Sequence, residues 1–62
     1  MEIYTFKQLV KMLSDATTAE RAYEVLGIAN LSYQHEKITF SDLEMFIKLT
    51  TNLVNGLKEV KQ

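Results

Sequence analysis

The residues of this 62-residue chain with the chemistry for a site are eight acids, one imidazole, three phenols and a set of Ser and Thr hydroxyls. Acid–base catalysis asks two carboxylates to converge on one pocket with separated pKa values. Most acids here stand at the starts of helical patterns or beside lysines, where they read as capping groups and solvated charges. Nucleophilic catalysis asks for a Ser, Thr or Cys beside a base. Cysteine is absent, and the lone histidine, His35, falls in the polar run Gln34-His35-Glu36-Lys37, where it reads as a surface residue. A calcium loop can be laid over Leu31 to Asp42 with Ile38 at its centre, yet the leading ligand positions then hold Leu31, Tyr33 and His35. Calcium needs oxygen ligands there, so the loop fails. No glycine-rich phosphate loop occurs either. The expectation is a protein that is not an enzyme and holds no metal or cofactor.

Length narrows the remaining classes. A chain of this size makes one domain over 1–62 and buries only about 60% of its unfolded surface. Small domains gain stability from disulfides, metals or oligomerisation. Without cysteine and with a single histidine, self-association or a partner is what remains. Hydrophobic residues make up 47% of the chain against 24% charged, which is a globular composition. No apolar run exceeds Met45-Phe46-Ile47, so no transmembrane or signal segment is expected and a cytoplasmic location is the default. The formal net charge of −1, with both signs intermingled, lacks the basic tract of a nucleic-acid binder.

The elements that must position any site read as helices. There is no proline, and the only glycines are Gly27 and Gly56. Thr5-Phe6-Lys7-Gln8 fits a capping box, and Phe6, Leu9, Val10 and Leu13 follow the helical spacing of one buried face. This first helix is expected to stop near Ser14-Asp15. Thr17-Thr18-Ala19-Glu20 offers a second box, followed by a stripe of Ala19, Ala22, Tyr23, Leu26, Ala29 or Asn30, and Tyr33. Gly27 either breaks that helix or sits inside it at a cost of about 1 kcal/mol relative to alanine. Ser41-Asp42-Leu43-Glu44 offers a third box, opening a helix with the stripe Leu43, Phe46, Ile47, Thr50, Leu53, Val54 and Leu57. Lys58 and Lys61 would favour its C-terminal end. The expected fold is all-α: a three-helix bundle, or four helices if Gly27 is a break. A short two-stranded ribbon between the N-terminus (Glu2 to Thr5) and residues 37–40 is a further option.

Arg21-Ala22-Tyr23-Glu24-Val25-Leu26-Gly27-Ile28 resembles the first half of a helix-turn-helix unit, with a small residue at 22 and a glycine followed by an aliphatic. The resemblance implies a recognition helix over Asn30 to Lys37, offering Asn30, Ser32, Gln34 and His35 to base edges and Lys37 to phosphates. In a second register, Thr5 to Leu13 resembles the opening helix of excisionase-type DNA-binding domains. Against both stands the charge balance. Tyr23 also occupies a place where the motif has a small residue, and Tyr33 and Glu36 occupy places for buried aliphatics. A DNA-binding regulator is therefore the second reading.

The first reading comes from a surplus of apolar residues off the main stripes: Met12, Val25, Ile28, Leu31, Met45 and Leu49. With Tyr23 and Tyr33, whose apolar bodies carry polar tips, they suit a helix-face interface. The expected function is a small regulatory or inhibitory interaction module, working as a homodimer or on a protein partner, with no membrane and no small-molecule substrate.

Overall fold

In the computed structural model the chain folds as three helices, α1 (Phe6–Ser14), α2 (Ala19–Gln34) and α3 (Phe40–Val60). Residues 3–60 are described, with side chains to Leu57. Glu2 and Lys61, and the side chain of Lys58, lie outside this set.

Helix α1 starts as its sequence predicts. Thr5 is the N-cap, and its backbone N–H donates to Gln8 Oε1 at 3.0 Å while its hydroxyl accepts from the Gln8 N–H at 3.3 Å. The other two starts are displaced from their expected boxes. Thr18 rather than Thr17 caps α2, accepting from the Arg21 N–H at 3.1 Å. Thr39 caps α3 in a reciprocal pair with Asp42, whose N–H donates to Thr39 Oγ1 at 3.1 Å and whose carboxylate accepts from the Thr39 N–H at 3.4 Å. That earlier cap draws Phe40 into the helix, so it is not part of an extended segment.

The ribbon is absent: no strand occurs among the described residues. The physical reason is that its donors have other acceptors. The Tyr4 N–H donates to the hydroxyl of Ser32 on α2 at 3.0 Å, and Thr39 is bound into its cap. The fourth helix is absent too. Gly27 keeps ordinary helical dihedrals, and α2 runs through it to Gln34.

Helix α2 ends at Gln34 with His35 as its C-cap, and Glu36, just beyond, adopts a left-handed φ of 63°. The Lys37 N–H reaches back to Ser32 O at 2.9 Å and the Glu36 N–H to Tyr33 O at 2.9 Å, the two bonds of a Schellman motif. Glycine normally holds that position, because a side chain there costs about 1–2 kcal/mol. Glu36 also brings a negative charge to the negative end of the helix. Glu36→Gly should therefore raise stability by about 1 kcal/mol, which for a domain of this size is a melting shift of about 4–8 °C. A thermal melt followed by circular dichroism checks it; an unchanged or lower midpoint counts against this account of the cap.

The core gathers Leu9 and Leu13 from α1, Ala22, Val25 and Ala29 from α2, Leu43, Phe46 and Val54 from α3, and Ala16 and Ile38 from the connections. Phe6 of α1 meets Phe46 edge to face, ring centroids 6.3 Å apart. The molecule measures 39 × 22 × 15 Å. Its short dimension matches two helix layers, about 9 Å between axes plus the width of the backbone cylinders. The main helix pairing is α2 with α3, and α1 lies against that pair.

Candidate functional site

One layer of a two-layer protein has a face that the other layer cannot cover. On α3, Phe46 points to α1, and Ile47, the next residue, is turned about 100° from it. On α2, Leu26 is turned by the same angle from the core residue Val25. Between these flanks runs an open groove of about 360 Å³, lined by Tyr23, Leu26, Gly27, Asn30, Leu43 and Ile47. None of the lining belongs to α1. Leu43 forms a buried floor, while Tyr23 and Ile47 stand at the sides with 54% and 45% of their surface exposed. Beyond one end, Tyr33 of α2 meets Phe40 of α3 at 5.9 Å between ring centroids, and Phe40 remains largely exposed.

Gly27 lies at the middle of α2. A Cβ built on it meets nothing within 4 Å. The fold therefore has no steric use for a glycine here, although glycine inside a helix costs about 1 kcal/mol relative to alanine. What the glycine does is leave the wall of the groove low and the α2 backbone approachable.

Electrostatically the groove is quiet. No lining residue carries a formal charge. The ion pair Arg21–Glu24 (3.3 Å) sits on the flank of α2 turned away from Tyr23, and Lys11–Asp15 (3.7 Å) lies on α1. Both pairs are exposed and each contributes only a few tenths of a kcal/mol, about what surface pairs do. The groove offers hydrocarbon, one phenol and one carboxamide. Such a surface can bind.

The residues expected to form an interface are distributed differently from the expectation. Tyr23 is on the groove. Val25 is fully buried, so it is core and is corrected out of the surface set. Met12 and Ile28 are half-buried and packed on the core, and Leu31 is half-buried. Met45 and Leu49 are exposed, but Met45 is about 200° from Ile47 around α3 and so lies on the opposite flank. Leu26, Gly27, Leu43 and Ile47 were not among the expected interface residues. Their signal was present in sequence: Phe46 and Ile47, adjacent and both apolar, cannot share one narrow buried line.

The expected base-reading row does not form. Its recognition helix needed a turn at Gly27, and α2 is continuous there. Ser32 is fully buried, its hydroxyl occupied by the Tyr4 N–H. Asn30 lines the groove, Gln34 and His35 mark the end of α2, and Lys37 is bound through its N–H into the Schellman motif. Asn30 and Gln34, four residues apart, share an exposed face of α2, while His35 and Lys37 are exposed beyond its last residue, so the expected row is not carried on one helix.

Among the described residues, no helix is long and apolar enough to cross a membrane. In comparisons with protein-family models, curated proteins and solved structures, nothing matches the chain.

Proposed function

We propose that this chain is a small, non-catalytic interaction module that docks on a protein surface through the open face of its α2–α3 pair. The observation that carries the reading is the uncharged groove of Tyr23, Leu26, Gly27, Asn30, Leu43 and Ile47, held open by a glycine that internal packing does not require. Its composition follows the anatomy of a binding interface: aromatic and aliphatic at the centre, with charge kept off the middle. A regulatory or inhibitory role follows from size, because a domain this small can mask a site on a partner more readily than enclose one of its own.

A photo-crosslinking amino acid placed singly at Tyr23, Ile47, Met45 or Leu49 of the full chain, in the cell of origin, tests the reading. Discrete adducts from positions 23 and 47, and none from 45 and 49, are the expected result. Adducts from all four positions alike, or from 45 and 49 alone, would remove the groove from consideration. So would micromolar, salt-sensitive binding of duplex DNA by the purified protein, the mark of phosphate recognition.

A further inference from the structure

We draw no further inference here: the strongest candidate, the open groove between α2 and α3 lined by Tyr23, Leu26, Gly27, Asn30, Leu43 and Ile47, is an unpartnered apolar face, and nothing in the structure shows what covers it.

Discussion

Phe46→Ala is expected to leave the chain largely unfolded at room temperature, with no cooperative transition in a urea titration followed by circular dichroism. Phe46 is fully buried and is the largest such side chain among the described residues. It is the point where the layers join, with Phe6 of α1 against its ring at 6.3 Å and 74° between planes. Removing a buried phenylalanine ring costs about 3–5 kcal/mol in transfer and cavity terms. Losing the edge-to-face contact forfeits part of a further ~0.5–1.5 kcal/mol. A domain of this length has about 3–9 kcal/mol of total stability at the usual 0.05–0.15 kcal/mol per residue. The loss is therefore comparable with everything that holds the fold. Leu49→Ala, on an exposed flank of the same helix, should change stability by about 1 kcal/mol or less. A Phe46→Ala protein that melts cooperatively near the unaltered midpoint would show that α1 is not held through this ring.

The residues differ in how openly they declared these roles. In α1 and α3 the buried side chains follow helical spacing, so Leu9 and Leu13, and Leu43, Phe46 and Val54, were legible as core from spacing alone, although Ile47 of the same expected stripe is exposed. In α2 the expected stripe holds for Ala22 and Ala29, which are buried, and misleads for the bulky residues. Its bulky residues, Tyr23 and Leu26, suggest one face, while the buried line is Ala22, Val25, Ala29 and Ser32, about 100° away. Helix α2 contacts both other helices, and close approach on two sides admits small side chains and pushes large ones to the edge. The hydrophobic pattern records how apolar a residue is; it does not record how near the neighbouring backbone lies.

The same geometry explains what was legible of the candidate site. Tyr23 was marked as a surface residue by its mixed character, and it stands on the groove. Leu26, Leu43 and Ile47 were absorbed into the expected core because each obeys helical spacing. Only the position of α1 decides which edge of a wide apolar stripe stays open, and that is a tertiary fact. Gly27 had two sequence meanings, a break or a tolerated interior glycine. Its third meaning, a low wall in a groove, needs the space around its absent Cβ.

Val25→Asp puts the revised assignment of α2 to its strongest test. Val25 and Tyr23 are two residues apart, and the hydrophobic pattern alone allowed both to face a partner. The structure gives Val25 no exposed surface, with Tyr23 exposed over 54% of its own. An aspartate at position 25 would be surrounded by apolar side chains, and the buried polar residues of the core are Ser32 and Thr50. Both of those already have partners: Ser32 accepts from the Tyr4 N–H, and Thr50 Oγ1 donates to Phe46 O at 2.8 Å. An unpartnered carboxylate then either loses hydration or takes up a proton, and either course costs several kcal/mol, about as much as the fold contains. Val25→Asp should accordingly abolish the cooperative urea transition, whatever the protein concentration. Tyr23→Asp should stay folded, within about 1 kcal/mol of the unaltered chain. If Val25→Asp folds normally and loses only association, Val25 belongs to the interface and the α2 face described here is rotated. Because the buried and groove-lining residues of α2 alternate by a single turn of about 100°, that one pair of substitutions fixes the orientation of the helix and, with it, which face is free to bind.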